Sequence, residues 1–349
     1  MVRMSSNSTF VIAEAGVNHN GSEALAIELV EIAARCGADA VKFQTFKADK
    51  LVSRGAAKAA YQAAATGEGD QYSMLLGLEM SDDMHRRLFR RCVELGIEFM
   101  STPFDEEAAD FLVDLGVKRI KIPSGEITNH PFMRHLARKD LPLILSTGMA
   151  TLGEIVEAAE VIRAERVRVG LNAPLDSILS ILHCTSNYPA SVQDVNLRAM
   201  LTIASKLRVP VGYSDHTLGL AVSTAAVALG AVIIEKHFTL DCNLAGPDHQ
   251  ASLTPDELSA LVQQIRAVEQ ALGSAEKRPT DAELPVRELV RRSVTAARDL
   301  PAGVAVEAQA LCLLRPGTGI APSELSFVVG RVPVHDVPAG RTLQWSDFS

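Results

Sequence analysis

Two short stretches, Gly212-Tyr-Ser-Asp-His216 and Ile234-Glu-Lys-His237-Phe238, each end an apolar, β-like run with a histidine where a strand gives way to a loop. Two imidazoles delivered from neighbouring strand ends can share one divalent metal ion, and a metal with only two protein ligands keeps open positions for a substrate oxygen. Two lysines suggest a second kind of chemistry. Lys42 in Val41-Lys42-Phe43 and Lys121 in Ile120-Lys121-Ile122 have apolar neighbours on both sides. A bare buried ammonium is very costly, so each must be paired or functional. With the hydroxyls of Thr102, Ser124, Ser146 and Ser214 around them, these lysines would cradle a phosphate and a carboxylate. The alternative is a structural ion pair with Glu14 or Glu126. Arg315 is a third cation of interest, and Lys236, also at a strand end, is a candidate Schiff-base nucleophile for a metal-free aldolase. That second reading leaves the two histidines without a purpose. Cys184 beside His183 reads as a small buried hydrophobe.

Such residues need a scaffold that brings strand ends together. Short β-branched runs predict strands over 10–13, 40–43, 97–100, 119–122, 143–145, 178–182, 209–212 and 232–234, and segments such as 24–33 and 258–265 between and after them carry helical spacing. A strand–helix order repeated eight times predicts a (β/α)8 TIM barrel. The residues at the carboxyl ends of these runs are Glu14, Lys42 with Gln44, Ser101 with Thr102, Lys121 with Ser124 and Glu126, Ser146 with Thr147, His183, Ser214 with His216, and Lys236 with His237. On a barrel those ends converge on one mouth, where active sites sit. The barrel is expected to occupy residues 1–272. A charged linker with some helix is expected over 273–292, and a small β-rich domain over 293–349. That tail repeats a turn motif, Asp299-Leu-Pro-Ala-Gly303 and Asp336-Val-Pro-Ala-Gly340.

Composition narrows the partners. The 349-residue chain is 47% hydrophobic and 22% charged, the balance of a globular enzyme, and its net charge of −8 without a basic block argues against nucleic acid. Any anionic ligand must be caught by a local cluster. The five cysteines, Cys36, Cys92, Cys184, Cys242 and Cys312, are odd in number and contain no CxxC, which suits reduced thiols in a cytoplasmic protein. No signal-peptide core follows Arg3, and the longest apolar stretch, roughly 218–234, is interrupted by Ser223, Thr224 and Gly230, so no membrane span is expected.

The motifs Ala13-Glu14-Ala-Gly-Val-Asn18-His19-Asn20-Gly21, Val41-Lys-Phe-Gln-Thr-Phe-Lys47, Ser101-Thr-Pro-Phe104, Lys121-Ile-Pro-Ser-Gly-Glu126, Ser146-Thr-Gly-Met149, Gly212-Tyr-Ser-Asp-His-Thr217 and Glu235-Lys-His-Phe-Thr239 occur in this order. Together they resemble the sialic acid synthase family. Arg315-Pro-Gly-Thr-Gly319 and the paired turns resemble that family's C-terminal antifreeze-like (SAF) domain. The resemblance implies condensation of phosphoenolpyruvate with an open-chain N-acetylmannosamine-type aldehyde and water, giving an N-acetylneuraminate-type nine-carbon 2-keto acid and phosphate. It implies a divalent ion on His216 and His237, Mn²⁺ first, with Mg²⁺ or Co²⁺ as alternatives. It assigns phosphoenolpyruvate to Lys42, Thr102, Lys121, Ser124, Ser146 and Ser214, and the acylamino sugar to Gln44, Tyr188, Asp248 and Arg315. Addition of water needs a carboxylate, for which Glu126 and Glu14 are the candidates. Glu126 also matches a sugar contact. A homodimer that exchanges its C-terminal domains is implied as well, placing Arg315 at the partner's barrel.

Two departures mark this chain. Ser186 stands where some relatives carry a substrate-contacting asparagine. Ile127-Thr128-Asn129-His130-Pro131 looks more like the relatives that take a 2,4-diacetamido-2,4,6-trideoxy sugar and make legionaminate. Other classes remain distinguishable. A 3-deoxy sugar acid synthase should lack the tail, a metal-dependent aldolase would use pyruvate and release no phosphate, and a Schiff-base aldolase would survive EDTA. A non-catalytic saccharide- or ice-binding protein has no use for Lys42, Lys121, His216 and His237.

Overall fold

Eight parallel strands, β1 (Phe10–Gly16), β2 (Ala40–Thr45), β3 (Glu98–Pro103), β4 (Ile120–Ile122), β5 (Leu143–Ser146), β6 (Leu179–Cys184), β7 (Val211–Asp215) and β8 (Ile233–His237), form one sheet in a computed structural model that describes residues 8–349. Their order is β3-β2-β1-β8-β7-β6-β5-β4, and β3 lies beside β4, so the sheet is an almost closed barrel. Each strand leads to a principal crossover helix: Glu23–Arg35, Asp82–Leu95, Glu106–Leu115, His130–Ala137, Leu152–Arg168, Ala199–Leu207, Ala221–Ala228 and Pro255–Leu272. Local chemistry starts several of these helices. Side chains of Ser22, Ser81, Asp105 and Asn129 accept from the first-turn N–H groups, and Thr151 with Glu154 and Thr254 with Glu257 form reciprocal capping boxes.

The strands run up to three residues further than their apolar patterns predict; β8, for instance, continues to His237. A polar side chain ends an apolar run, but it does not end a hydrogen-bonded ladder. The barrel interior therefore has two layers. Ile12, Ala40, Met100, Ile144, Leu182 and Ile233 fill its middle as one apolar cluster. Two residues on, where strand alternation returns the side chain to the same face, stand Glu14, Lys42, Thr102, Ser146, Cys184 and Glu235. The apolar floor and the polar layer over it are thus one pattern read at a spacing of two. Gly212 completes the floor on β7: an added Cβ there would collide with the Ile233 carbonyl oxygen and lie 2.7 Å from Leu182 Cδ2. The larger core lies outside the barrel, where Leu29, Leu88, Leu112, Met133, Ile162 and Leu258 from the helices pack against Val11, Val41, Phe43 and Ile181 of the strands.

The chain divides at 273 into two units, Met1–Gly273 and Ser274–Ser349. The segment expected as linker contains one helix, Glu283–Val290, with no buried residue. Beyond it β9 (Ser293–Ala296) pairs antiparallel with β10 (Leu311–Leu314) over a small core that includes Val294, Leu300, Ile320, Val328, Val337 and Leu343. The repeated turns lock together. Ala302 N–H donates to Asp336 Oδ1 and Ala339 N–H to Asp299 Oδ1, each at 2.8 Å, while Leu300 and Val337 exchange both backbone hydrogen bonds. Each Asp-x-Pro-Ala-Gly motif thereby caps the other.

Candidate active site

Four charges share the floor of the barrel mouth. Lys42 Nζ lies 2.7 Å from Glu14 Oε2 and 3.5 Å from Glu235 Oε2, and it donates to Thr102 Oγ1 at 3.0 Å. Lys121 Nζ lies 3.4 Å from Glu235 Oε1, which also accepts from Ser214 Oγ at 2.9 Å. All four side chains are buried. Glu14 is thus the expected ion-pair partner of Lys42, but it is Glu235 that bridges both lysines. Burial pushes the Glu14 carboxyl well above its usual range, an effect that Lys42 opposes and Glu235 reinforces. Burial would do the same to Glu235, but Lys121 and Lys42 hold it ionised, below the carboxylate range. Lys121 is pulled below its ordinary value by burial, whereas for Lys42 the two carboxylates outweigh burial and raise it. Two ammonium groups facing one firmly ionised carboxylate leave room for an added anion. Ser146 Oγ, buried on the same layer, has no hydrogen-bond partner among the described residues.

Ser124 belongs to the same rim. Its Oγ accepts from Gly148 N–H at 2.9 Å, and a Cβ added at Gly148 would come within 3.0 Å of Ser124 Oγ and collide with Ser186 Oγ. Ser186, the departure from the asparagine form, therefore stands at the turn after β5. Any side chain at 148 would require the Ser186 hydroxyl to move.

The two histidines meet as their strand positions imply, with ring centroids 5.5 Å apart. His216 Nδ1–H donates to the Thr185 carbonyl at 2.8 Å, which leaves Nε2 with its lone pair free. His237 Nδ1 is buried without a partner, 3.9 Å from Asp248 Oδ2. Burial, assisted by His216 and Lys42, holds the His237 imidazole neutral by pulling its pKa well below the ordinary value. Burial would also lower His216, but Cys184 and the Thr185 carbonyl outweigh it and raise its pKa. Two imidazoles that each keep a ring nitrogen unpartnered, with a carboxylate nearby, are still the donor set a borderline divalent ion takes, so these residues fit the expected metal. Among the described residues no cluster of three or more His, Cys, Asp or Glu offers a complete site, which leaves coordination positions open.

The remaining candidates frame the mouth. Tyr188 lies over His216 at 4.0 Å between centroids and edge-on to His237 at 5.6 Å. Burial raises Asp248 to about 6, with His216 pulling the other way. Gly16, with φ +52° at the irregularity that ends β1, lets the chain pass beside this group: its Cβ would meet His237 Cε1 at 3.2 Å and Gln44 Nε2 at 3.5 Å. Gln44 and His237 are therefore neighbours.

Some strand-end residues go elsewhere. Lys236 alternates with Glu235 and His237 and donates to Asp215 Oδ2 at 2.8 Å and the Thr217 carbonyl at 2.7 Å; Ser223 Oγ also donates to that Asp215 oxygen, at 2.6 Å. It is a buried structural cation, not a Schiff-base nucleophile. His183 Nε2–H donates to the Val195 carbonyl at 2.6 Å and serves to anchor a loop. Cys184 is buried as expected, yet its Sγ lies 3.7 Å from His216 Nδ1, closer to the chemistry than its sequence context implies. Glu126 is half-buried and accepts from Asn129 Nδ2 at 2.6 Å; no ion pair joins it to the four-charge floor. Arg315 lies in the second unit, exposed, with no hydrogen bond or ion pair among the described residues.

Residues 29–277 match the NeuB family, and residues 291–349 match the SAF domain. The chain belongs to the NeuB family. This NeuB-family chain is 56% identical to the N,N'-diacetyllegionaminic acid synthase of Legionella pneumophila over 98% of its own length and 95% of the relative's. It is 45% identical to the enzyme of the same name from Campylobacter jejuni, over 93% and 95%. A crystal structure of N-acetylneuraminic acid synthetase from Leptospira borgpetersenii, in complex with citrate, is 33% identical with a TM-score of 0.69, over 80% of this chain and 90% of that one.

Two residues of the NeuB-family site escape sequence reasoning. Glu235 was legible in principle, because a strand residue two before His237 must share its face. Tyr61, whose ring stacks on Tyr188 at 5.1 Å between centroids, was not, since it comes from a crossover between β2 and the helix Asp82–Leu95 that carries no strand-end signal.

Proposed function

We propose that the chain is an N,N'-diacetyllegionaminate synthase, condensing phosphoenolpyruvate with 2,4-diacetamido-2,4,6-trideoxymannose and water. The observation that carries the reaction class is the four-charge floor beside two imidazoles, because an anion cradle next to a pair of metal-binding histidines is what this condensation requires. The choice of sugar rests on the two legionaminic acid synthases, both more similar to this chain than the N-acetylneuraminic acid synthetase is. N-acetylmannosamine, giving N-acetylneuraminate, is the second reading, and the likeness to that synthetase favours it.

In this reading Lys42 and Lys121 neutralise the phosphate and carboxylate of phosphoenolpyruvate, with Thr102, Ser124, Ser146 and Ser214 as hydroxyl donors. His216 and His237 would hold a divalent ion, Mn²⁺ ahead of Mg²⁺ or Co²⁺, which would supply Lewis acidity toward the aldehyde oxygen. Gln44, Tyr188 and Asp248 hold the sugar so that its C1 faces the enol carbon C3; the C2–C3 π pair of phosphoenolpyruvate forms the new C–C bond, leaving C2 electron-deficient, and the former carbonyl oxygen gains a proton from solvent. Water then adds at C2. Glu14, whose raised pKa lets it accept a proton near neutrality, takes the proton that the adding water gives up, or Glu126 does from the rim. Collapse of the C2 adduct breaks its bond to the phosphate oxygen, releasing phosphate and the 2-keto acid. We further propose that the active form is a homodimer with exchanged C-terminal units, the partner's Arg315 closing the sugar subsite.

Phosphate release from phosphoenolpyruvate, measured separately with the two sugars and with and without EDTA, tests the reading. Release that needs metal and is faster with the diacetamido sugar is expected. Faster release with N-acetylmannosamine would select the second reading, and release with neither would overturn both.

A further inference from the structure

Three short helices, Ala48–Leu51, Ala60–Thr66 and Gln71–Leu76, occupy the crossover between β2 and the helix Asp82–Leu95, and the middle one has no buried residue. This crossover is tied mostly to itself. Gln71 N–H donates to the Ala56 carbonyl, Gly55 N–H to Asp70, Lys58 to the carbonyls of Gly67 and Glu68, and Tyr72 to Asp49. Tyr61 is different: its ring stacks on Tyr188 at 5.1 Å between centroids and 27° between planes. Tyr188 in turn covers His216, so an aromatic stack runs from the crossover to the histidine pair. Burial, then the charge of Asp248, pushes the Tyr61 hydroxyl up to about 12, which is consistent with a ring lying over the same pocket.

We propose that Tyr61 is a specificity-determining residue of the sugar subsite, its ring and that of Tyr188 forming an apolar wall for the methyl groups of the acylamino sugar. The proposal rests on the synthase reading and adds a reason for its choice of sugar. Gln44 and Asp248 are polar and read hydroxyl and amide groups, so neither offers a methyl group the apolar contact that would favour it. The diacetamido-trideoxy sugar carries a C6 methyl and two acetyl methyls, where N-acetylmannosamine carries one acetyl methyl. Burying a methyl against carbon is worth roughly a fourfold factor, so two more give about 15-fold in favour of the more methylated sugar. The Tyr61 side chain stands on a helix without buried residues, so its truncation should spare the barrel.

The test is steady-state phosphate release by the full-length, metal-loaded chain with each sugar, for wild type, Tyr61→Phe and Tyr61→Ala, with thermal unfolding as the check on folding. Tyr61→Phe should keep the ratio of kcat/KM for the two sugars within about twofold. Tyr61→Ala should lower that ratio about tenfold, mainly through the KM of the diacetamido sugar, with the KM for phosphoenolpyruvate unchanged. An unchanged ratio in Tyr61→Ala, or equal losses toward both sugars and phosphoenolpyruvate, overturns the proposal; Tyr61→Ser repeats the measurement if the alanine variant unfolds. A wild type that prefers the diacetamido sugar while Tyr61→Ala keeps that preference removes the role of Tyr61 alone. A wild type inactive toward both sugars removes the parent reading, and this proposal with it.

Discussion

Replacing Glu235 by Gln keeps its volume and its hydrogen bond from Ser214 while deleting one charge from a buried set of four, so its effect can be worked from distances. Glu235 lies 3.4 Å from Lys121 Nζ and 3.5 Å from Lys42 Nζ. At an effective dielectric constant near 20, each contact corresponds to ~5 kcal/mol of gross attraction, which desolvation largely offsets. Truncating one partner of a buried pair typically costs about 3–5 kcal/mol, because the remaining charge stays buried and unpaired. Lys42 keeps Glu14 at 2.7 Å; Lys121 has no other ion-pair partner among the described residues, so the loss falls mainly there. Without ligand, Glu235→Gln should therefore be destabilised by roughly 3 kcal/mol. With phosphoenolpyruvate the sign reverses. The anion takes over the counter-charge role and no longer faces a fixed carboxylate, so it should bind about tenfold more tightly and raise the melting temperature of the variant by more than that of the wild type. Urea unfolding with and without phosphoenolpyruvate measures the first effect, and calorimetric titration the second. A variant with wild-type stability and wild-type phosphoenolpyruvate affinity would refute the reasoning, for the charges would then not be coupled as the distances require.

Three other perturbations have defined outcomes. His216→Ala and His237→Ala should each abolish tight Mn²⁺ binding, read by electron paramagnetic resonance, and lower kcat by at least ~10³, the factor for about 4 kcal/mol of lost Lewis-acid stabilisation; full activity of the chelated protein contradicts this. Burial lowers the pKa of His19 from 6.5 to about 4, so between those values the unfolded chain takes up a proton that the folded chain refuses. The contribution is complete above pH 6.5 and is lost as pH falls toward 4, a difference of roughly 3 kcal/mol; His19→Gln should flatten that part of the stability–pH curve, and an unaltered slope speaks against it. Finally, mixing inactive Lys121→Ala and Arg315→Ala chains after complete subunit exchange should restore roughly a quarter of wild-type activity if Arg315 acts across the dimer. Demonstrated exchange without recovery would place Arg315 in its own chain's site or outside any site.

The barrel was legible because its two signals are local. A β-branched run every few tens of residues and a polar residue at the end of each need only the strand period and the helix period to be recognised. The same locality brought His216, His237, Lys42 and Lys121 into view, since an ionisable residue at the end of an apolar run is conspicuous in one dimension. Partnership is not local. That Lys42 sits between Glu14 and Glu235 depends on β1, β2 and β8 being neighbours in register, with Glu14 opposite both Lys42 and His237. The chain order separates β1 from β8 by more than two hundred residues. The opposite fates of Lys236 and His237 had the same origin: adjacent in sequence, they point to opposite faces of one strand, one into a buried pair with Asp215 and one into the mouth. Residue types and spacing were enough to establish eight strands, two turn repeats and a chemistry of cations, hydroxyls and imidazoles. Which charges neutralise one another, which imidazole nitrogen stays free, and that Tyr61 stacks over the site from a crossover with no strand-end signal were settled by the closing of the barrel, because contacts between distant segments exist only once the chain has folded.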